Sequence, residues 1–301
     1  MQTREIPFKL GIQPIAWINQ GIPEFPDLYS SEEIIKQMAS LGFYGTEMNP
    51  KFSSEENFDD ILHKYDMEIT SQWKSVYFSD PRLIEAELNS FKLHADYLND
   101  LGCKVVIVCD VGGSGLPIPE RNSVQPLNDK QWVSLVKGLE QAGDYCNSLG
   151  MELVYHHHAA TVIEKENEIT ELMDRTNPDL VSLLFDTGHA FYGGADPYSI
   201  LINHFDRIKY VHLKDVRKDE IENCVVNKET FKHGVINGMF TVPGDGDIDF
   251  VPILKTLINR KYIGWVLIEA EQHPQKANPY QFSKFAKKYI EELLTKYSKG
   301  I

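Results

Sequence analysis

Val181-Ser182-Leu183-Leu184-Phe185-Asp186-Thr187-Gly188-His189 is a short apolar run that ends in an acid and, three residues on, a histidine. Three other runs have the same form. Leu153 to Tyr155 leads into His156-His157-His158, Ile208 to Val211 into His212-Leu213-Lys214-Asp215, and Trp265 to Ile268 into Glu269-Ala270-Glu271. A run of strand length that is apolar on both alternating faces reads as a parallel strand covered on both sides. If the four are neighbours, their last residues converge at one end of a single sheet, where α/β enzymes build their sites.

Working outward, strand-length apolar runs alternate with stretches of helical period eight times over, the sequence form of repeated βα units. The strands are expected at Lys9 to Ile15, Gly45 to Met48, Glu68 to Trp73, Val105 to Cys109, Glu152 to His156, Val181 to Phe185, Tyr210 to Leu213 and Trp265 to Glu269. Between them the reading places a helix capped by Ser30 or Ser31, one over Phe58 to Tyr65, one from Pro81 through Leu101, one from Asp129 to Gly150, and a last one over Tyr280 to Tyr297. Two connections are long. Residues 110–128 are rich in Gly and Pro without periodicity, which in a compact domain marks a binding or covering loop. Residues 214–250 read as an irregular insertion ending in the tight turn Val242-Pro243-Gly244-Asp245-Gly246, with Asp249 capping the next helix. No composition break marks a linker. The expectation is one α/β domain over residues 1–301, a closed (β/α)8 TIM barrel with extended loops at 110–128 and 214–250. A doubly wound two-domain sheet would need a glycine-rich phosphate loop after the first strand, and Gln13-Pro14-Ile15-Ala16-Trp17 is not one.

The net charge of −14 argues against nucleic acid as a partner, because displacing phosphate counterions takes a basic footprint. The first residues are polar and no run reaches the roughly 20 apolar residues of a membrane span, so a cytoplasmic location is expected. Cys103, Cys109, Cys146 and Cys224 show no CxxC spacing and read as free thiols.

A carboxylate such as Glu269 behind Val266-Leu267-Ile268 is costly to desolvate unless it meets a cation, which could be Lys214, Arg217 or a metal. Asp186 follows the same logic, and Gly188 and His189 weigh against a mere helix cap. The period of two sends His156 and His158 to one side of their strand and His157 to the other. Two carboxylates (Asp186, Glu269) and two imidazoles (His156, His212) form a borderline donor set suited to Mn2+, Co2+, Zn2+ or Fe2+.

The segments Gly11-Ile12-Gln13-Pro14-Ile15-Ala16-Trp17, Gln72-Trp73, Tyr155-His156-His157-His158, Asp186-Thr187-Gly188-His189, His212-Leu213-Lys214-Asp215, Gly238-Met239-Phe240-Thr241-Val242-Pro243-Gly244-Asp245-Gly246 and Glu269-Ala270-Glu271-Gln272 carry a resemblance. Over nearly its whole length the chain resembles the inosose dehydratases of the xylose-isomerase-like barrel superfamily. That resemblance implies metal-dependent removal of water from 2-keto-myo-inositol (scyllo-inosose) to give a trihydroxycyclohexane-dione, with Mn2+ or Co2+ as the metal and glutathione associated with the activity. It also implies a metal held at the positions of Asp186, His212 and Glu269. The fourth position, a Glu in the superfamily's sugar epimerases, is His156 here, as a ligand or an acid/base group, with His158 as the other candidate.

Such a reaction needs a base for the α-proton and an acid for the departing hydroxyl. The candidates are Glu269 or His156 as base and His189 or Lys214 as acid, with Arg217 or Lys214 orienting oxygens. Lys214 could also be only a structural partner of Asp215 or Glu271, and His158 and Glu271 are further candidates for substrate contact. Trp17 and Trp73 offer flat faces to a cyclitol ring, and Glu47 and Asn49 offer hydroxyl contacts. A small cyclitol ketone is the expected partner, and a homo-oligomer is compatible with the chain. A sugar or hydroxypyruvate isomerase on the same metal would return the proton instead of expelling hydroxide, and His156 weighs against it. An endonuclease-type barrel would need further histidines where this chain has Gln72-Trp73 and Cys109-Asp110, and a non-enzymatic binding barrel would hold no metal tightly and tolerate loss of Glu269.

Overall fold

The computed structural model describes residues 6–298. Its strands are β1 Lys9–Ile12, β2 Gly45–Glu47, β3 Glu68–Ser71, β4 Trp73–Val76, β5 Val105–Asp110, β6 Glu152–His156, β7 Ser182–Asp186, β8 Ile208–Leu213, β9 Asp215–Val216, β10 Phe240–Thr241 and β11 Trp265–Ile268. All eight expected strands are present, with ends shifted by up to three residues. The third is split at Gln72. The register Trp73↔Ile107 carries back to Ser71 opposite Val105, and there the bond to the Val105 carbonyl comes from the Ser71 hydroxyl, at 2.8 Å, instead of a main-chain amide.

The described residues fall into two compact units. One holds the chain up to Glu68, Val211–Asn227 and the residues from His233 on; the other holds Ile69–Tyr210 and Lys228–Lys232. In the first unit β1 lies parallel to β2 (Ile12↔Thr46) and to β11 (Lys9↔Trp265 through Ile12↔Ile268). Gly11 is required there, since a Cβ would stand 2.8 Å from the Gly45 carbonyl oxygen and 3.0 Å from a Leu267 methyl. The amide of Glu269 donates to the Leu213 carbonyl at 3.1 Å, setting the end of β8 beside the end of β11. In the second unit β4, β5, β6 and β7 pair in parallel in that order. Val106, Ile107, Val108, Val154, Leu183, Leu184 and Phe185 are fully buried, as strands covered on both faces require.

The helices follow local signals. Ser31–Ser40 opens on a reciprocal box in which the Glu33 amide donates to Ser30 Oγ and the Ser30 amide to Glu33 Oε2. Asn128 and Gln131 do the same for Asp129–Ser148. The helix expected from Pro81 starts at Ile84 instead, because Asp80 Oδ1 takes the Arg82 amide and holds Pro81 in a turn. Among the described residues no helix is long and apolar enough to cross a membrane. The four cysteines are free and buried.

The 214–250 connection is more regular than its sequence suggests. It contains helices Lys218–Val226 and Phe231–Asn237 and the antiparallel pair β9–β10. Asp215 organises its end by accepting the amides of Val216, Gly244, Gly246 and Ile248 at 2.8–3.0 Å. Gly244 sits at φ +90°, and a Cβ on Gly246 would meet the Val216 carbonyl at 2.2 Å, so both glycines are fixed by geometry. Asp249 caps Phe250–Asn259 through the Val251 amide.

Loop 110–128 is tied down by two buried residues. Arg121 donates to the carbonyls of Val111, Gly112, Leu116 and Ala160. Asp110 accepts from the Ser79 amide and hydroxyl and the Gly112 amide, yet burial pushes its carboxyl up to about 6. A carboxyl whose folded pKa lies above its unfolded value stabilises the fold when protonated, and that contribution is lost as pH rises from about 4 through 6. The shift corresponds to about 3 kcal/mol. In urea titrations, Asp110→Asn should gain about that much on the wild type between about pH 4 and pH 7; a pH-independent difference would exclude this linkage.

Candidate active site

In the unit that contains β4 to β7, the turn after β6 delivers three histidines. Nδ1 of His156 donates to the His157 carbonyl at 2.6 Å, leaving Nε2 as the lone-pair nitrogen, 3.9 Å from Asp186 Oδ2. Asp186 ends β7 and caps helix Thr187–Tyr192, its Oδ1 accepting the His189 amide at 2.8 Å. The helix begins immediately after Asp186, contrary to the sequence expectation that Gly188 and His189 precede any helix. Capping occupies one carboxylate oxygen and aims the other at His156.

His157 turns the other way, its Nε2 accepting the Asp186 amide at 3.3 Å. His158 lies against His189, ring centroids 3.7 Å apart, and Trp73 presents its edge to His156 and His158 at 5.3 Å each. Phe231 closes the same cluster, 5.4 Å from His158 and 6.2 Å from His189. Sequence reading missed Phe231, which lies in the middle of the insertion, and no local pattern marks it.

The other unit carries a second buried cluster. His212 is placed between two carboxylates, Nε2 2.6 Å from Glu47 Oε1 and Nδ1 2.6 Å from Glu269 Oε2. Glu47 also accepts from Gln13 Nε2 at 3.4 Å. Lys214, fully buried, reaches Glu269 Oε1 at 2.7 Å and Glu271 Oε1 at 3.1 Å, over the Phe240 ring at 4.8 Å. The bland expectation of a Glu269–Lys214 ion pair is therefore realised here.

The remaining sequence candidates make other contacts. Arg217 donates to the Gly238 carbonyl, Thr241 Oγ1 and Asp245 Oδ2, bracing the turn that Asp215 holds. Trp17 is fully buried with Nε1 bonded to Gln37, a packing position. Asn49 Oδ1 caps the short helix Pro50–Ser53 through the Phe52 amide.

A cation fits this chemistry on an observation independent of any relative. With Glu47 holding the Nε2 side of His212, the Nδ1 side faces a carboxylate oxygen at 2.6 Å, a contact that is favourable only with a proton or a metal ion shared there. A ligating imidazole that gives its other N–H to a carboxylate or a backbone carbonyl is the usual outer arrangement of a metal site, and His212 and His156 both have it.

The chain matches the xylose isomerase-like TIM barrel family over residues 35–291. It is 48% identical to an inosose dehydratase of Geobacillus kaustophilus (strain HTA426), covering 98% of this chain and 97% of that protein. It is 43% identical to an inosose dehydratase of Clostridium perfringens (strain 13), covering 94% and 97%. Among solved structures it resembles an IOLI protein with a bound zinc atom, at a TM-score of 0.70 and 17% identity over 96% of this chain and 99% of that one. At that identity the likeness speaks for the fold alone. With family and relatives matched over most of its length, the chain belongs to the inosose dehydratases, hydro-lyases built on the xylose isomerase-like TIM barrel.

Proposed function

We propose that this protein removes water from 2-keto-myo-inositol to give a trihydroxycyclohexane-1,2-dione, as a single barrel domain acting on a small cyclitol ketone in the cytoplasm. The observation that carries the reading is near-half identity to an inosose dehydratase across almost the entire chain. In a closed parallel barrel the carboxyl ends of the strands form one ring. On that fold His156, Asp186, His212 and Glu269, at the ends of β6, β7, β8 and β11, would hold a divalent cation. The donor chemistry supports that assignment.

The bound cation would supply Lewis-acid polarisation of the ketone and its neighbouring hydroxyl, easing loss of the α-proton. The protein's own residues do the rest. Lys214, held by Glu269 and Glu271, orients substrate oxygens. Trp73, half-exposed beside the histidines, offers an apolar surface to the ring C–H bonds.

The test is an absorbance assay for dione from 2-keto-myo-inositol with metal-stripped protein and added Mn2+ or Co2+. Metal-dependent dione supports the reading. Proton exchange or epimerised ketone without dione would move the substrate chemistry to an isomerase, and absence of both metal binding and turnover would reopen the non-enzymatic reading.

A further inference from the structure

We infer that Phe231 is a positioning residue for His158 and His189, and that a strap, Lys228–Lys232, holds its ring against them. This rests on the dehydration proposed above and says how the histidines of that reaction are kept in place.

A histidine ring is not oriented by its own side chain, because the torsion that turns it is broad and roughly two-fold. Its plane is set by what packs on it. The main chain beneath His158 is fixed, its amide donating to the Ile163 carbonyl at 3.1 Å and its carbonyl accepting the Thr161 hydroxyl at 2.7 Å. The main chain of His189 is fixed by its amide on Asp186 Oδ1. The rings themselves need neighbours. Trp73 gives an edge to His158, and the buried Phe231 gives a second aromatic ring, 5.4 Å from His158 and tilted by 51°. The same ring lies 6.2 Å from His189, within 27° of parallel, and meets Tyr192 edge-on at 6.1 Å. His189 and Tyr192 are three residues apart on helix Thr187–Tyr192, so they share a face, and Phe231 contacts both.

Phe231 is distant from these histidines in sequence and has to be brought to them. Three consecutive residues of loop 110–128 do this. Asn122 Nδ2 donates to the Lys228 carbonyl at 3.5 Å, the Phe231 amide donates to the Arg121 carbonyl at 2.6 Å, and Glu120 takes the Lys232 ammonium at 2.8 Å. Lys228 sits at φ +54° just past Asn227, which ends helix Lys218–Val226, so the chain enters the strap through a left-handed position that glycine usually occupies. The strap belongs with β4 to β7, although the residues on both sides of it belong to the other unit.

Arg121 makes the arrangement specific. Its carbonyl holds Phe231, while its buried guanidinium donates to the carbonyl of Ala160, two residues after His158, and to those of Val111, Gly112 and Leu116. One residue thus grips both sides of the His158–Phe231 contact. A guanidinium suits the task because its donors lie in a rigid plane and each meets a main-chain oxygen.

The consequence is in the rate. A misplacement of about 1 Å, caused far from the chemistry, can cost a reaction about 100-fold. Phe231 acts through the imidazoles, so its loss should lower kcat and leave KM nearly unchanged.

The experiment uses the full-length enzyme and three variants. Phe231→Leu keeps an apolar side chain without a ring, Glu120→Lys sets two like charges where the strap is fastened, and Glu120→Lys/Lys232→Glu restores the ion pair in reverse. Dione formation from 2-keto-myo-inositol with Mn2+ gives kcat and KM, and thermal unfolding checks the fold. Spectra of 13C-histidine-labelled protein, with Zn2+ in place of paramagnetic Mn2+, give the ring signals of His158 and His189, assigned with His158→Gln and His189→Gln. Phe231→Leu should lose kcat by roughly 10- to 100-fold with KM within about threefold. Glu120→Lys should lose about fivefold, the upper range of what an exposed ion pair is worth, and the charge swap should recover it. On the Phe231→Leu background Glu120→Lys should add no further loss, because both act through one contact. Both should shift the His158 and His189 signals and leave the exposed His63 unmoved. Wild-type kcat in Phe231→Leu overturns the inference whatever the melting temperature; so does a raised KM at unchanged kcat, which would make Phe231 a substrate wall, and so do additive losses. If the wild-type enzyme forms no dione, the substrate reading fails and the ring signals decide alone: shifts in Glu120→Lys that the charge swap reverses support the strap, and unmoved His158 and His189 signals overturn it.

Discussion

Glu269→Gln should lower dione formation by roughly three orders of magnitude or more and weaken Mn2+ binding by more than about 100-fold, since loss of even an outer partner of a ligand typically costs 10- to 100-fold. Glu269 contacts both His212 and Lys214, with a separate oxygen on each. Glutamine keeps its length and shape, so the strand and its packing should survive, and near-unchanged circular dichroism would confirm that. It has no charge, and its amide end must donate, either toward the Lys214 ammonium or toward His212. Toward Lys214 that contact is repulsive, toward His212 it occupies the Nδ1 side that the cation needs, and either way the cation loses a carboxylate. Calorimetric titration of metal-stripped variant with Mn2+, alongside the dione assay, separates the effects. Wild-type affinity with lost turnover would make Glu269 an acid/base group and not a ligand; wild-type values of both would remove it from the site.

Much of this site is visible in the chain before any coordinates. A strand buried on both faces has to be apolar at every position until it emerges, so the first polar residue after Leu183-Leu184-Phe185 or Val266-Leu267-Ile268 marks the strand end and the active face together. That is why Asp186, His212 and Glu269 stand out. The period of two likewise separates His157 from His156 and His158, and the ring contacts follow it.

What was not legible depends on partners distant in sequence. Glu47 and His212 are 165 residues apart, and nothing local shows that Glu47 is buried against an imidazole and not directed at a hydroxyl. Arg217 carries the charge of a substrate-binding residue, but the same charge suits the carbonyl of Gly238 and the carboxylate of Asp245, which flank the strand pair β9–β10. Gly188 and His189 weigh in the sequence against a helix directly after Asp186, although a side-chain oxygen at the preceding cap offsets the roughly 1 kcal/mol that a glycine costs inside a helix.

Lys214→Met should destabilise the fold by about 3 kcal/mol, the range in which removing one member of a buried ion pair leaves a charge uncompensated. The ammonium is fully buried and contacts two carboxylates, Glu269 at 2.7 Å and Glu271 at 3.1 Å. Methionine fills much of the lysine stem and can rest on Phe240, so lost packing is a minor contribution. The cost comes from the acids left behind, and it falls toward the lower end of the range because His212 still faces Glu269. Adding Glu271→Gln removes one of the two acids, so Lys214→Met/Glu271→Gln should recover part of the loss, with a coupling of about 1–3 kcal/mol in a urea double-mutant cycle at neutral pH. If the single variant matched wild type, Lys214 would be dispensable as a counter-ion, and its burial would have to be explained by substrate contact alone. If it lost stability but the coupling were near zero, Glu269 and not Glu271 would be the acid that requires it.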